Sequence, residues 1–534
     1  MHAKIRGLLL LPVLLSALGI LAACSTIQKP DRGLNILVIM TDDQGYSDVG
    51  YQGHPVLETP RIDGLARDGV VFDRFYAQPV CSPSRAALMT GRYAMRLGIM
   101  DTQGGNAILP PDEITIAEAL QSGGYRTGLF GKWHLGDNAP SRPQDQGFDT
   151  VLTHVGGMIG MPYNPPQGRS YFDPILIDNG EDRSFDGFAP DIFTDAAIAF
   201  MTNGARQDTA PFFAFLSFNT PHHPLTVPDA FADPYRELGL SEETARYYGM
   251  IANIDHNVGR VIDRLEALDL LDETVIVFVG DNGTSSLHRQ ADLWESGLRG
   301  RKTDVYENGI RVPMILKLPH IGPAPGPAPG PARGLRNHIS AIEDIMPTLL
   351  DLANVATEVE FDGVSLVPAL MSADAQLPSR DLFFQFHRGS EPDPYRNIAV
   401  LRGDYKLVQP VGRGAQAFAR DSARFELYNL AQDPNETTDL AADYPAYVNT
   451  LVEAYDSWFA DTRLNATGQQ VIWMGDERQN PVTLTLQRQI LSSEMEARIE
   501  EIELAKGPVR LKAWVTIDGQ DNGFEFIEIE RLDE

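Results

Sequence analysis

Two pairs of oxygen-bearing side chains directly follow long apolar runs of this sequence. Asp42 and Asp43 come after LNILVIMT, and Asp281 and Asn282 come after TVIVFVG. Carboxylate and amide oxygens that converge from two strand ends are the ligands that Ca²⁺ and Mg²⁺ prefer. A helix cap or a turn is the commoner use of Asp and Asn at such a place. Each pair taken singly therefore leaves a metal site and a capping role open.

Basic and imidazole side chains occur in three further short segments, GKWHLG, TPHHP and GLRGRK. The two in GKWHLG stand two residues apart, so they share one face of an extended chain. The residues concerned are Lys132, His134, His222, His223, Arg299, Arg301 and Lys302. The whole chain has 73 acidic and 44 basic residues and a formal net charge of −29, which argues against a nucleic-acid partner. A local basic island in such a chain is what a site for an anionic ester requires.

The N-terminal residues predict export. A basic start precedes the apolar run Leu8–Ala23, which has the layout of a secretory signal. The run ends in LAAC, which resembles the lipobox of bacterial lipoproteins, so we expect residues 1–23 to be a signal peptide and Cys24 to carry a lipid anchor. Ser25 resembles the pattern for retention at the outer membrane, and residues 24–34 form a tether. An uncleaved membrane anchor and an ordinary cleaved signal are the alternatives.

The second cysteine, Cys81, has no partner for an intramolecular disulfide if Cys24 is lipidated. It is then either a buried filler or a reactive group, and its neighbours favour the second. Cys81, Ser82, Pro83, Ser84 and Arg85 form a C-x-P-x-R motif ahead of the small residues of AALMTGRY.

This motif resembles the first signature of type I sulfatases, which belong to the alkaline phosphatase-like superfamily. The segment GYRTGLFGKWHLG matches the second signature, and TPHHP, GDNG and LRGRK…YENGIRVP follow in the order of that family. The resemblance covers roughly Asn35 to Gly475. Asn308 departs from the usual glycine pair of the family, and we expect this difference to affect loop geometry more than chemistry.

The resemblance implies a mechanism that uses a modified cysteine. A maturation enzyme would oxidise Cys81 to formylglycine, whose hydrate attacks sulfur with one hydroxyl and expels sulfate with the other. One Ca²⁺ would polarise the sulfate oxygens. The metal ligands that the resemblance implies are Asp42, Asp43, Cys81, Asp281 and Asn282.

The resemblance also implies the remaining catalytic roles. Arg85 would orient the formylglycine, and Lys132 and Lys302 would bind sulfate oxygens as point charges. His134 would take a proton as the sulfated diol collapses, and His222 would stand beside the leaving oxygen. His223 and Arg301 fall outside the motif positions, so a supporting role and a substrate contact both stay open for them.

Two other functions compete with this interpretation. A phosphate or phosphonate monoester hydrolase of the same fold can share the motif, but ligands for a single metal favour the singly charged sulfate ester. A catalytically inactive glycan-binding lipoprotein should have lost a catalytic position, and none is lost. We expect a sulfated carbohydrate as substrate. The loop His154–Pro174 and the C-terminal domain are candidates for recognising the sugar, and an ordinary surface loop is an equal alternative for His154–Pro174. The identity of the sugar stays open.

Buried parallel strands must position these residues. The runs LNILVIMTDDQG, Pro211–Pro224 and Thr274–Gly283 each end in polar residues, at the edge where open α/β sheets bind ligands. Helical patterns alternate with them, which predicts a large doubly wound, mixed or parallel α/β domain at residues 35–380 with helices on both faces. Within it, Gly322–Gly334 predicts an extended surface loop.

The sequence pattern changes after residue 380. Alternating short strands and turns predict a smaller C-terminal α+β domain with an antiparallel sheet at residues 381–480, closed by a helix around YVNTLVEAYDSWF. Residues 481–534 form an extension of unknown role, with a helix at Glu494–Lys506 and a hairpin-like pair of strands, VRLKAWVTI and FEFIEIE.

Overall fold

A computed structural model describes residues 33–463 and, beyond them, the strands of a small sheet. Within residues 33–463 it leaves out 103–106, 155, 160–169, 204–209, 286–292, 295, 320–332, 390 and 415. The predicted signal peptide, Cys24, the helix at Glu494–Lys506 and most of Gly322–Gly334 lie outside the described residues. Among the described helices, none combines the length and the apolar character needed to cross a membrane.

The described residues before Ile342 contain twelve strands. They are β1 (Asn35–Thr41), β2 (Val70–Phe72), β3 (Phe75–Tyr76), β4 (Arg126–Lys132), β5 (Thr150–His154), β6 (Ile175–Asp178), β7 (Glu181–Ser184), β8 (Phe212–Ser217), β9 (Thr274–Gly280), β10 (Met314–Lys317), β11 (Gly334–Arg336) and β12 (Ser340–Ala341). In the described residues, ten of them form one sheet in the order β11-β2-β10-β9-β1-β8-β4-β5-β6-β7, and β3 pairs with β12. The central strands β9, β1, β8, β4 and β5 are parallel, whereas β10 and β6 join antiparallel.

Helices cover both faces of this sheet. They are α1 (Pro60–Asp68), α2 (Cys81–Thr90), α3 (Ile116–Ser122), α4 (Ala189–Asn203), α5 (Asp229–Glu237), α6 (Glu242–Glu266), α7 (Glu307–Ile310), α8 (Ile345–Ala353), α9 (Val367–Met371) and α10 (Pro445–Thr462), the last of which belongs to the C-terminal part. Alternate residues of β1 enter two separate cores: Ile36 and Val38 pack with α2, α3 and α8, and Leu37 and Ile39 pack with α1, α4 and α6. Each such buried side chain contributes roughly 1.5–3 kcal/mol of hydrophobic stabilisation.

A second sheet, called here the C-terminal sheet, follows the large one. Its antiparallel strands are β13 (Leu382–Gln385), β14 (Ile398–Arg402), β15 (Tyr405–Gln409) and β16 (Glu426–Asn429). The helix α10 covers one face, where the rings of Phe383 and Trp458 stack with centroids 5.0 Å apart. The other face packs on the large domain around Tyr76 and Tyr306.

The predicted fold class is confirmed: a large mixed sheet with helices on both faces and a small C-terminal antiparallel sheet. The two predicted strands of the extension also pair, as β18 (Val509–Val515) and β19 (Phe524–Arg531). A strand that the sequence analysis did not predict, β17 (Val482–Thr485), pairs with β19 on its other edge. The boundaries of the domains stay predictions.

Candidate active site

The carboxyl ends of four neighbouring parallel strands, β9, β1, β8 and β4, meet at one edge of the large sheet. In register, Thr41 lies opposite Gly280, and Gly131 lies opposite Ser217, so the residues that follow these strands converge. The start of α2 and the loop before α7 approach the same edge. The predicted residues that meet there are Asp42, Asp43, Cys81, Arg85, Lys132, His134, His222, Asp281, Asn282 and Lys302.

The oxygen-bearing residues form a fully buried cluster. Asp42, Asp43, Asp281 and Asn282 are all 0% exposed. The backbone N–H of Asp43 donates to Oδ1 of Asp281 at 3.1 Å, and Nδ2 of Asn282 donates to Oδ1 of Asp43 at 2.8 Å. One ligand atom each from Asp42, Asp281 and Cys81 lie within 4.8 Å of one another. The cluster therefore has the size of a single-ion site.

Three acceptor oxygens of this cluster make no hydrogen bond within the described residues. They are Oδ1 of Asp42, Oδ2 of Asp43 and Oδ1 of Asn282. A buried polar atom without a partner costs free energy, and native structures satisfy nearly all of them. Two carboxylate oxygens and one amide oxygen are hard ligands, so this donor set fits Ca²⁺.

Opposite charges crowd this cluster. Nζ of Lys132 lies 2.7 Å from Oδ2 of Asp42, and Nζ of Lys302 contacts Oδ1 of Asp43. Burial raises the pKa of each of these two carboxyl groups, but the nearby positive charges, first a lysine and then His222, together outweigh it and hold both pKa values below the ordinary value. Burial and the charge of Asp42 raise the pKa of Asp281 to about 7. Three carboxyl groups thus face three cations in this site, namely Lys132, Lys302 and Arg85.

Cys81 opens α2 at the centre of the site and is 2% exposed. Its Sγ lies 3.4 Å from Nδ1 of His134. Burial raises the pKa of the Cys81 thiol although Lys132 and Lys302 oppose the shift. A thiol with a raised pKa is a poor nucleophile at neutral pH. The Cys81 thiol therefore lacks the lowered pKa that marks an activated catalytic cysteine.

Arg85 ties α2 to the ends of three strands. Its guanidinium is 1% exposed and donates to Oδ2 of Asp281 at 2.8 Å, to Oγ of Ser217 at 2.7 Å and to the carbonyl of Lys132 at 3.1 Å. These bonds orient the helix turn that carries Cys81. The sequence analysis did not identify Ser217. Its signal is a hydroxyl at the end of the phenylalanine-rich run of β8.

His134 lies in the loop after β4 and faces Cys81. Nε2 of His134 is 3.3 Å from the carbonyl oxygen of Thr102, which can only accept, so the ring carries its proton on Nε2. Burial, followed by the charge of Lys132, lowers the pKa of His134 well below its ordinary value, which keeps the ring neutral. Its Nδ1 lone pair therefore points at residue 81, as a general base requires.

His222 and His223 follow β8. Nδ1 of His222 donates to the carbonyl of His223 at 2.9 Å, and Nε2 of His222 lies 3.8 Å from Oδ2 of Asp43. The hydroxyl of Tyr171 donates to the carbonyl of His222 at 3.1 Å. The His223 ring is edge-on to its neighbour with centroids 6.5 Å apart. His222 thus faces the cluster, and His223 supports it through the backbone.

The site holds left-handed backbone at three residues other than glycine. Asp43, His134 and Thr303 have φ values of 70°, 59° and 78°. Such conformations are costly away from glycine and persist where surrounding bonds enforce them. The carbonyls of these residues accept from Tyr247 at 3.1 Å, Ser82 at 3.0 Å and Asn397 at 2.9 Å, respectively. Tyr247 and Asn397 carry no local sequence signal, whereas Ser82 lies within the C-x-P-x-R motif.

The loop before α7 delivers Lys302 to the site. The backbone N–H of Lys302 donates to the carbonyl of Thr284 at 2.9 Å. Asn308, which departs from the family pattern, donates from its side-chain amide to the carbonyl of Gly300 at 3.1 Å. It therefore forms a hydrogen bond within this loop. The backbone N–H of Arg301 donates to Oδ2 of Asp304 at 3.0 Å.

The placement of Arg299 in the basic island was wrong. Its guanidinium lies 3.8 Å above the centre of the Tyr306 ring and donates to the hydroxyl of Tyr428 at 2.9 Å, in the C-terminal sheet. A planar guanidinium gains more from stacking on an aromatic ring beside hydrogen-bond acceptors than a lysine would. Arg299 therefore joins the two parts of the protein.

Comparisons with known proteins agree with this geometry. The family model for sulfatases matches residues 34–355, and that for the C-terminal part of N-sulphoglucosamine sulphohydrolase matches residues 299–455. Human arylsulfatase A is 31% identical over 480 residues, which covers 80% of this chain and 86% of that protein. Canine N-acetylgalactosamine-6-sulfatase is 33% identical over 425 residues and 74% of each chain.

A solved structure shows the same fold. The crystal structure of Ps i-CgsB in complex with k-i-k-neocarrahexaose has a TM-score of 0.70 at 28% identity, and the match covers 82% of this chain and 94% of that one. Fold, motif order and family model therefore agree: this chain belongs to the sulfatase family and is a sulfuric ester hydrolase.

Proposed function

We propose that this enzyme hydrolyses sulfate monoesters of a sulfated carbohydrate, using a formylglycine formed from Cys81 and one Ca²⁺ ion. One observation carries the proposal. A buried cysteine with a neutral thiol stands beside oxygen ligands that lack hydrogen-bond partners and beside two lysines. In a sulfatase the oxygen ligands hold the ion, the lysines bind the sulfate, and residue 81 supplies the nucleophile once it is modified.

Modification of Cys81 gives the residue its function. As formylglycine hydrate it supplies two hydroxyls, one to attack sulfur and one to expel the bound sulfate afterwards. The position at the first residue of α2 places it at the positive end of the helix dipole, which stabilises negative charge there. A maturation enzyme that oxidises the cysteine is thus a required partner.

Asp42, Asp43, Asp281 and Asn282 would hold the ion, with residue 81 as a further ligand. The ion would supply positive charge that polarises the sulfate and lowers the pKa of the attacking hydroxyl. The three unsatisfied oxygens support this assignment, because bound Ca²⁺ would give each of them a partner.

The remaining side chains perform binding, orientation and proton transfer. Lys132 and Lys302 bind sulfate oxygens with their ammonium groups, and Arg85 fixes the orientation of residue 81. His134 takes the proton of a residue 81 hydroxyl at Nδ1. His222 holds the leaving oxygen at Nε2, and it donates a proton there when the ring is doubly protonated, because Nδ1–H is bound to the carbonyl of His223.

The names of several relatives support a carbohydrate substrate. N-acetylgalactosamine-6-sulfatase is named for a sulfated sugar, and the Ps i-CgsB crystals contain a neocarrahexaose. We further propose, from the N-terminal sequence alone, that the enzyme is exported and attached to the outer membrane through lipid on Cys24. An enzyme tethered in this way would encounter polymeric sulfated glycans outside the cytoplasm.

The test is sulfate release by protein made in a host that forms formylglycine. Matched 4-nitrophenyl sulfate and 4-nitrophenyl phosphate are assayed beside a panel of sulfated oligosaccharides, with Cys81→Ala as control and the mass of residue 81 as a check. We expect turnover of sulfate esters, little turnover of phosphate, and loss of both in the variant. Faster turnover of phosphate would contradict the proposal, as would an active Cys81→Ala protein.

A further inference from the structure

We infer that Arg388, from the loop after β13 of the C-terminal sheet, positions His134 for proton transfer by holding Asp101 and Thr102. Arg388 acts as a positioning residue, since it touches neither residue 81 nor the oxygen cluster in the described contacts. The inference rests on the proposed function for the role of His134 in the reaction.

The first step is the dependence of His134 on Thr102. The two ring nitrogens contact Sγ of Cys81 at 3.4 Å and the carbonyl of Thr102 at 3.3 Å. Only the tautomer with hydrogen on Nε2 satisfies the carbonyl and leaves Nδ1 free to accept a proton from residue 81. The backbone of Thr102 therefore selects the reactive tautomer.

The second step is the anchoring of Thr102. The backbone N–H of Thr102 donates to Oδ1 of Asp101 at 2.6 Å. Nη1 of Arg388 makes an ion pair with the same Oδ1 and also contacts Oγ1 of Thr102 at 3.0 Å. Asp101 is 3% exposed, so loss of its cation would leave a buried, unpaired carboxylate. Arg388 thus holds both residues of the segment that directs His134.

The third step is the rigidity of the Arg388 end. Its backbone N–H donates to the carbonyl of Arg413 at 2.8 Å, and its own carbonyl accepts from Nδ1 of His387 at 3.1 Å. His387 is 1% exposed, and its Nε2 accepts from the backbone N–H of Asp393 at 3.2 Å. The arginine therefore extends from a fixed backbone.

The His134 ring has little freedom to compensate for a shift of Thr102. A Cβ built on Gly157 would lie 2.6 Å from Cε1 of His134, so the backbone of residue 157 packs directly on the ring. An error of about 1 Å in a catalytic group can cost roughly 100-fold in rate. We therefore expect the Arg388 contact to affect turnover, even though it lies outside the reacting atoms.

The test compares Arg388→Ala and Arg388→Lys with Arg402→Ala. Arg402 is a matched control, because it also belongs to the C-terminal sheet, is similarly exposed and pairs with a carboxylate, Asp381. For 4-nitrophenyl sulfate we expect kcat of Arg388→Ala to fall about 10- to 100-fold with KM within about twofold. We expect Arg388→Lys to recover part of the rate through its charge, and Arg402→Ala to match the wild type.

A second readout follows the ring directly. In ¹⁵N-histidine-labelled protein that retains unmodified Cys81, with His134→Gln to assign the signal, we expect hydrogen on Nε2 of His134 in the wild type and in Arg402→Ala. We expect a mixture of tautomers in Arg388→Ala. An unchanged ring signal together with an unchanged kcat would overturn the inference.

A rise in KM without loss of kcat would also overturn it, because it would make Arg388 a substrate contact. If the wild-type protein hydrolysed no sulfate ester, the proposed function would fail, and the ring signals would still decide whether Arg388 sets the tautomer.

Discussion

At the scale of single residues, the site depends on lysines that serve two groups at once. Lys132 and Lys302 each pair with a carboxylate of the oxygen cluster. The same ammonium groups are the cations that can receive a sulfate anion in a chain with a net charge of −29. In the proposed mechanism, each lysine therefore stabilises the empty site through an aspartate and the occupied site through the substrate.

This dual role gives a prediction for Lys302→Ala. We expect kcat/KM for 4-nitrophenyl sulfate to fall roughly 100- to 1,000-fold, about 3–4 kcal/mol, because the lost charge binds the sulfate in the ground state and interacts more strongly with the charge that develops in the transition state. Steady-state kinetics should show a lower kcat together with a higher KM. Arg67→Ala, which removes an exposed charge from α1, should leave both constants unchanged. An unaltered kcat/KM in Lys302→Ala would exclude Lys302 from transition-state binding.

At the scale of elements, the site depends on how closely β4 and β8 approach. Gly131 precedes Lys132, has φ of +114°, and a Cβ built there would lie 1.8 Å from the carbonyl oxygen of Ser217. A side chain at residue 131 would therefore push apart the two strand ends that carry Lys132 and Ser217. The close approach requires glycine for space as well as for backbone conformation.

The variants Gly53→Ala and Gly131→Ala separate the requirement for backbone conformation from the requirement for space. Gly53 also has a left-handed φ, +85°, but nothing lies within 4 Å of the position of its Cβ. We expect Gly53→Ala to cost roughly 1–2 kcal/mol from backbone strain alone. Gly131→Ala should cost more than about 3 kcal/mol and reduce sulfatase activity, because strain and steric overlap add. The urea midpoints of the two variants, compared at an unchanged m value, measure their losses of stability. Equal losses of stability would show that β4 and β8 can move apart freely.

At the scale of the whole molecule, the sequence predicted a residue's position where a local sequence pattern indicates that position. Asp42 and Asp281 each follow an apolar run that predicts a buried parallel strand. Parallel strands end at a common edge of an α/β sheet, so the convergence of these two residues was predictable. The contact of Arg388 with Asp101 joins residues 287 positions apart and leaves no periodic signal. Arg299 was misplaced for the same reason, since its partner Tyr428 lies in the other sheet.

Metal binding should stabilise the whole protein, because the oxygen ligands follow two different strands, β1 and β9, which are far apart in the sequence. An ion that binds only the folded state raises stability by RT ln(1 + [L]/Kd), about 2.7 kcal/mol at a hundredfold excess over Kd. We expect thermal unfolding of chelator-treated protein to shift upward as Ca²⁺ is added. Asp281→Asn should lose most of that shift, while Asp263→Asn, an exposed carboxylate on α6, should retain it. An equal shift in both variants would place the ion elsewhere, and calorimetric titration of the two proteins would confirm that result by their equal affinity for Ca²⁺.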